Sequence, residues 1–186
     1  LTILIFLPTV GALLLLFLRS RDAVRWATLA TTAATFVLSL MLLFTYDWNA
    51  GGGNGSARYG YAEDGGNVQL VQTAKWIPAF NIEYKVGVDG ISLVLVLLTT
   101  LLTTISILAS FGPITTRVKE YMIAFLVLEA GMLGVFLALD LFLFYIFWEI
   151  VLVPMYLIIG IWGGANRIYA TIKFVLYTLV GSLLML

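Results

Sequence analysis

Long apolar runs separated by short polar stretches dominate the chain. Six runs come close to the about 20 helical residues that cross a hydrocarbon core of about 30 Å. They lie at residues 1–18, 24–46, 90–111, 120–139, 141–162 and 168–186. The pattern therefore predicts an all-α membrane protein with six transmembrane helices, numbered here 1 to 6. The first run is interpreted as a spanning helix, because it contains no small-residue cleavage site.

The stretch 47–89 breaks this pattern. Its first half is rich in Gly and predicts a mobile segment. In its second half Ile, Tyr and Val side chains alternate with other residues from 82 to 88, which is typical of a strand. We expect a β-hairpin that turns near Ile77–Pro78 on the membrane surface, with Asp89 as the N-cap of helix 3.

These patterns divide the chain into three parts. Residues 1–46 hold helices 1 and 2, residues 47–89 form an extracytoplasmic loop with the hairpin, and residues 90–186 hold helices 3 to 6.

Composition narrows the function classes. The chain is 62% hydrophobic and 11% charged, with a mean hydropathy of +1.06, whereas soluble domains are about 25% charged. Its net charge is zero, so no nucleic-acid partner is indicated. It has no Cys and no His, which excludes disulfides and leaves no usual ligand for haem or iron–sulfur clusters. We therefore expect no cofactor in this chain, and lipid around it.

Basic residues predict the orientation. They gather in the loops after helices 1, 3 and 5, and the turn after helix 4 at Asp140 has none. The loop residues are Arg19, Arg21, Arg25, Arg117, Lys119 and Arg167. Because Lys and Arg favour the cytoplasmic side, these loops are expected in the cytoplasm and the N-terminus outside.

Helices 3 and 4 contain polar and small residues whose roles stay open at this point. Hydroxyl residues share a face of helix 3, either for packing with hydrogen bonds to the backbone or as a wall of a hydrated path. They are Ser92, Thr99, Thr103, Ser106 and Ser110. In helix 4, Ala130, Gly134 and Ala138 form a small ridge that allows close approach of another helix. Glu129 is either a structural hydrogen-bonding acid or part of a proton pathway.

Glu149 is the strongest candidate for chemistry. It lies eight residues after Leu141, which places it about 12 Å into the membrane. Tyr145 and Tyr156 share its helix face, which we expect to point into the bundle. Pro154 frees the carbonyl four residues before it, which predicts a hydration site beside Glu149. An ionisable group this deep is costly and is by default a functional hypothesis.

Lys173 lies in helix 6, with Tyr169 and Tyr177 four residues before and after it. Two interpretations remain open. Its ammonium group could snorkel to the headgroups, since it is about 9 Å from Arg167. Alternatively it faces inward, where it would act with Glu149 in proton transfer.

Three segments carry a family resemblance. The stretches YKVGVDGIS, GVFLALDLFLFY and FWEIVLVPMYLIIGIWGGANRIYATIKFVLYTLVGSLLML resemble the antiporter-like membrane subunits of respiratory complex I, of the chain M or subunit 4 type. The resemblance implies a fold of 14 transmembrane helices, of which six are visible here. It also implies that Glu149 matches the family's helix-5 glutamate and Lys173 a helix-6 lysine. The last apolar run continues to residue 186, so we expect part of a longer protein.

The resemblance also implies a function. The chain would belong to a proton-translocating subunit of NADH:quinone oxidoreductase, without redox chemistry of its own. We expect it in a bacterial plasma membrane, and the sequence leaves an energy-converting organelle membrane open. NADH, FMN, iron–sulfur clusters and quinone would be bound by other subunits, and further membrane-arm subunits would be its partners. The alternatives are a subunit of a multisubunit sodium/proton antiporter or hydrogenase membrane arm, and a structural membrane scaffold.

The predicted orientation can be tested by cysteine labelling, because the chain has no Cys of its own. In intact cells, Arg117→Cys should resist an impermeant thiol reagent, whereas Ser56→Cys in the 47–89 segment should react. Labelling of residue 117 from outside would reverse the orientation.

Overall fold

The structure, a computed structural model, describes residues 1–46, 48, 68–77 and 82–185. Within these residues the helices are α1 (Thr2–Phe17), α2 (Arg21–Thr45), α3 (Gly90–Ala109), α4 (Val118–Leu137), α5 (Leu141–Trp162) and α6 (Arg167–Met185). The strands are β1 (Gln69–Ile77) and β2 (Ile82–Val88). A helix forms at each apolar run, and its ends lie within 3 residues of the predicted ends.

The first helix is shorter than predicted. Helices α2 to α6 have 19 to 25 residues and are long and apolar enough to cross a membrane. In contrast, α1 has 16 residues, a length of about 24 Å against the about 30 Å of a hydrocarbon core. The backbone becomes extended at Leu18, just before the basic loop. The described residues therefore contain five membrane-length helices and one shorter apolar helix, rather than six full spans.

The two strands form the predicted antiparallel hairpin, with Gln69 opposite Val88 and Ile77 opposite Ile82. The turn predicted near Pro78 and the Gly-rich half of the loop lie outside the described residues. Hydrogen bonds to two places fix the hairpin to the helices. The Thr2 hydroxyl donates to Gln72 Oε1 at 2.8 Å, and the main-chain N–H of residue 139 donates to the carbonyl of residue 85 at 2.9 Å. It therefore packs on the start of α1 and on the α4–α5 turn.

Aspartates begin two of the helices. The Asp89 carboxylate accepts the main-chain N–H of Ser92 at 2.6 Å, and the Ser92 hydroxyl accepts the N–H of Asp89 at 2.8 Å. This capping box confirms the predicted role of Asp89. Asp140 caps α5 in the same way, through the N–H of Leu143 at 3.0 Å. Both caps lie at the end of the bundle that holds the hairpin, called here the hairpin end.

The three basic loops meet at the opposite end, called here the basic end. Lys119 Nζ, in the first turn of α4, donates to the Leu16 carbonyl of α1 at 2.6 Å. Trp162 Nε1, at the end of α5, donates to the carbonyl of Thr116 at 2.9 Å. The ammonium group thus satisfies a carbonyl in the last turn of α1 that has no helical partner.

Close packing of α4 against α5 depends on small residues. A Cβ atom added to Gly131 would lie 2.7 Å from Val151 Cγ2, and one added to Gly134 would overlap the Phe147 ring. Gly134 therefore has the predicted role of allowing close approach. Ala138 does not, because α4 ends at residue 137 and Ala138 pairs with Val86 of the hairpin.

The hydroxyls of α3 follow the packing interpretation. Thr99, Thr103 and Ser110 each donate to the main-chain carbonyl four residues earlier, at 2.8, 2.8 and 2.6 Å. Each hydroxyl thereby satisfies its hydrogen within its own helix. Ser92 instead belongs to the capping box.

The packing predicts a difference between two glycine-to-alanine changes. Gly134→Ala should destabilise the protein by about 1–3 kcal/mol, because the new methyl group overlaps the Phe147 ring. Gly181→Ala is the matched control, since its Cβ atom would meet nothing within 4 Å. The measurement is the amount of assembled complex on native gels after graded heating. Equal losses for the two variants would contradict the packing argument.

Candidate functional site

Glu149 lies in the first half of α5 and is half-buried. Eight residues separate it from Leu141 at the helix start, so it is about 12 Å from the hairpin end. One carboxylate oxygen accepts a hydrogen bond from the hydroxyl of Ser182 in α6. The carboxylate therefore has a hydrogen-bond partner at membrane depth.

The Glu149 face of α5 is turned towards α6. Tyr145, Tyr156 and Gly160 lie within about 40° of Glu149 around the helix, as predicted for the two tyrosines. Thr171 Oγ1 of α6 lies 3.6 Å from the position that a Cβ atom on Gly160 would take, which is an ordinary van der Waals contact. Tyr145 is half-buried and Tyr156 is exposed. Within the described residues α6 covers this face in part, so its expected direction into the bundle stays a prediction.

The opposite side of α5 contacts α4. Phe147 and Val151, which pack on the glycines of α4, each lie about 160° from Glu149 around the helix. Glu149 therefore points away from α4.

Pro154 and Glu149 face different sides of α5. Pro154 is buried and lies about 140° around the helix from Glu149. It borders a groove of about 470 Å³ between α4 and α5. The lining side chains are Glu120, Ile123, Ala124, Val127, Ile150, Val153, Pro154 and Leu157. All of these except Glu120 are apolar, and hydration of the carbonyl that Pro154 frees stays a prediction.

Lys173 is not brought to Glu149. It is exposed, and it lies about 160° around α6 from Thr171, which contacts α5. Its Nζ is 5.8 Å from the centroid of the Tyr169 ring, within the range of a cation–π contact. Tyr177 is also turned away, with 78% of its surface exposed. Lys173 and Tyr177 therefore do not contact the Glu149 carboxylate, and their role in proton transfer stays a prediction.

Glu129 is the more deeply buried of the two glutamates, with 0% of its surface exposed. Neither of its carboxyl oxygens has a hydrogen-bond partner among the described residues. It lies about 140–160° around α4 from Gly131 and Gly134, so it points away from α5. The two glutamates therefore lie on opposite sides of the α4–α5 pair.

Sequence reasoning missed Ser182. A signal was present, because Thr171, Thr178 and Ser182 follow each other at spacings of 7 and 4, which place them on one helix face. Only the packing of α6 on α5 shows that this face meets Glu149. In the described part of the chain, no group of three or more acidic side chains could hold a metal ion.

Comparison with known proteins decides the family. The profile described as NADH-ubiquinone oxidoreductase chain 4, amino terminus, matches residues 67–140. The profile described as NADH:quinone oxidoreductase/Mrp antiporter, TM, matches residues 138–186. NADH-quinone oxidoreductase subunit M of Rhodobacter capsulatus is 49% identical over 100% of this chain. The chain belongs to the subunit M and chain 4 family of NADH:quinone oxidoreductase.

Other members of this family agree. NADH-ubiquinone oxidoreductase chain 4 of Marchantia polymorpha is 42% identical over 98% of the chain. A chain of respiratory complex I from Thermus thermophilus has the same fold, with a TM-score of 0.74 and 29% identity over 97% of this chain and 33% of that one. The present chain spans 34% of the length of the Rhodobacter and Marchantia relatives.

The hydrogen bond to Glu149 can be tested at Ser182. Ser182→Ala removes the donor, and hydrogen bonds to charged groups are worth about 1.5–3 kcal/mol. We expect a roughly tenfold lower rate of coupled proton uptake in membrane vesicles. Ser182→Thr keeps the hydroxyl and should restore most of the rate.

Thr178→Val is the matched control on the same helix face. The Thr178 hydroxyl donates to the Phe174 carbonyl of its own helix at 2.7 Å, so its loss should be nearly silent. A wild-type rate in Ser182→Ala would show that the hydrogen bond has no functional role.

Proposed function

We propose that this chain is part of a proton-translocating membrane-arm subunit of NADH:quinone oxidoreductase, with Glu149 as its proton-carrying group. The observation that carries the proposal is the Glu149 carboxylate at membrane depth with Ser182 as its donor, in a chain of the subunit M family.

The geometry suits a carboxylate that gains and loses a proton. A charged residue at the bilayer centre costs about 2.5–3.5 kcal/mol on insertion scales. A hydroxyl donor offsets part of this cost for the ionised form, and partial exposure beside α6 gives a proton access to the carboxylate. The half-buried Tyr145 on the same face is a second hydroxyl that could relay the proton.

Lys173 has a different place in the proposal. It lies on the face of α6 turned away from α5, together with Tyr177. Lys173 would therefore interact with protein that packs on that face, rather than contact Glu149. A charge there would be coupled to Glu149 electrostatically across α6.

The remaining parts of the proposal concern the whole complex. NADH, FMN, iron–sulfur clusters and quinone would be bound by other subunits, and neighbouring antiporter-like subunits would contact this one within the membrane. The complex would lie in a bacterial plasma membrane, with the basic end in the cytoplasm and the N-terminus outside. The structural relative from Thermus thermophilus is itself part of respiratory complex I, which supports membrane-arm partners.

The transporter alternative is a subunit of a sodium/proton antiporter, since one matching profile also names the Mrp antiporter. The relatives at 49% and 42% identity are both named as oxidoreductase subunits, which favours the complex I function. A structural scaffold would use Glu149 only to hold α6 on α5.

The deciding experiment replaces Glu149 by Gln, which keeps the shape and a hydrogen-bond acceptor but cannot ionise. We expect an assembled complex with most proton pumping lost, and lower quinone reduction where the two are tightly coupled. Glu149→Asp should retain part of the activity. Quinone reduction and proton uptake are measured together in membrane vesicles, and assembly is checked on native gels.

Glu120→Gln is the matched control, because Glu120 is an exposed glutamate in the first turn of α4. It should leave both activities unchanged. Wild-type pumping by an assembled Glu149→Gln complex would show that the carboxylate is structural and would contradict the proposal.

A further inference from the structure

The core is divided into two apolar clusters. The cluster towards the hairpin end contains Leu4, Ile5, Val86, Val88, Leu93, Val96, Leu133, Leu137, Leu143 and Phe147. The cluster towards the basic end contains Ala12, Leu15, Val24, Ile107, Val118, Tyr121, Met122 and Leu126. Since α1, α3 and α4 each contribute to both, the segment of each helix between its two contributions lies at an intermediate level.

Glu129 lies at this level. It is between Met122 of one cluster and Leu133 of the other, and within about 40° of both around α4. Its side chain is therefore directed between the clusters, toward α1, α2 and α3. It is completely buried there.

Buried hydroxyls occupy the same level on α2 and α3. Thr100 lies between Val96 and Ile107, the α3 members of the two clusters, and its hydroxyl is 2.8 Å from that of Ser39 on α2. Thr100, Ser39 and Thr35 each have 0% of their surface exposed. We call Thr35, Ser39, Thr99, Thr100 and Glu129 the polar layer.

Each hydroxyl of the layer already has an acceptor for its one hydrogen. Thr35 donates to the carbonyl of residue 31 at 3.0 Å, Thr99 to that of residue 95 at 2.8 Å and Thr100 to that of residue 96 at 3.0 Å. Toward Glu129 the hydroxyl oxygens therefore present lone pairs, which accept hydrogen bonds. An ionised carboxylate also only accepts hydrogen bonds, so an ionised Glu129 would face acceptors.

Pro8 of α1 adds another acceptor at this level. It is buried within α1, between Ile5 and Ala12 of the two clusters. Because proline has no N–H, the carbonyl of Leu4 has no helical donor at residue 8. The helices around Glu129 thus present several oxygens that need a hydrogen.

Among the described residues of α1 to α4, no positive side chain lies at the level of the layer. Helices α1 and α3 contain no titratable side chain, and those of α2 are confined to Arg21, Asp22 and Arg25 in its first turns. Arg25 donates to the Ile114 carbonyl at the basic end, at 2.9 Å. On α4, Lys119 and Glu120 also lie at that end, and Tyr121 is bonded to Ser110. An unpaired buried carboxylate is far more costly than a neutral carboxylic acid.

We propose that the polar layer is a buried proton-binding site, separate from the Glu149 face, in which Glu129 is a neutral carboxylic acid linked to the hydroxyls of α2 and α3 through internal water. The acid supplies a hydrogen to a layer of acceptors. A water molecule, which both donates and accepts, bridges groups that lie beyond direct hydrogen-bond distance.

The test is infrared difference spectroscopy on the intact complex in its membrane at neutral pH. The wild-type spectrum should contain one carboxylic-acid C=O band that the Glu129→Gln spectrum lacks. This band should shift within minutes of transfer to D₂O. Loss of ionised carboxylate bands instead would overturn the proposal, and so would an acid band that does not respond to D₂O over hours.

Three further variants complete the test. Glu120→Gln on the same helix removes an exposed glutamate and should remove no acid band. Glu149→Gln should leave the Glu129 band unchanged whether or not that variant pumps protons, which separates this site from the proposed function. Thr100→Val, which removes a hydroxyl of the layer at constant shape, should shift the Glu129 band.

Thr45→Val is the matched control for Thr100→Val. Thr45 is exposed and makes the same type of bond, to the Met41 carbonyl at 2.9 Å, so the band should not move. Should Glu129→Gln fail to assemble, the Thr100→Val spectrum decides alone: an unmoved acid band overturns the proposal, and a shifted one supports it.

Discussion

Hydrocarbon supplies no hydrogen-bond partner, and the structure of this chain depends on how its polar groups meet that constraint. Most hydroxyls in the helices bond to their own backbone, as Thr28 does to the carbonyl of residue 24 at 2.7 Å. At the helix ends the side chains of Asp89, Asp140 and Lys119 bind backbone groups that have no helical partner. Most helix hydroxyls and the side chains at the helix ends thus have backbone hydrogen-bond partners. The two glutamates at membrane depth differ, because neither bonds to the backbone.

The helix α4 separates those two glutamates. The window of α4 that could span the membrane is 56% buried, against at most 28% for the other candidate spans. Its glycines receive α5 on one side, and Glu129 lies on the other side among α1, α2 and α3. Both glutamates are eight residues from the α4–α5 turn, so both lie about 12 Å from the hairpin end. Equal depth on opposite sides of a helix pair makes them two sites rather than consecutive members of one path.

The sixth helix has two unlike faces. Thr171 and Ser182 are buried against α5, whereas Lys173, Tyr177 and Val180 are exposed. The exposed face holds Lys173, for which proton transfer was one of two interpretations of the sequence. This chain spans about a third of the length of its Rhodobacter relative. Because a lysine at this depth is costly in lipid, the exposed face suits contact with further membrane-embedded protein.

Local patterns determined much of the architecture. Apolar runs near 20 residues predicted the helices, because the width of the bilayer fixes their length. The alternation from residue 82 to 88 predicted a strand, and the Asp at residue 89 followed by a Ser three residues later specified a cap, because each depends on near neighbours in the sequence.

Long-range packing decided what these patterns could not. Spacing put Tyr145, Glu149 and Tyr156 on one face of a helix, but periodicity along one helix carries no information about which other helix covers that face. Ser182, 33 residues away, became the partner of Glu149 only because α6 packs on that side. In the same way the sequence left Glu129 between two roles. The packing of α1, α2 and α3 around it, with no hydrogen-bond partner among the described residues, set it apart from Glu149. The sequence by itself determined which residues lie in long apolar helices, and the tertiary structure alone decided which of them meet, because contacts between helices depend on rotations and offsets that no single helix encodes.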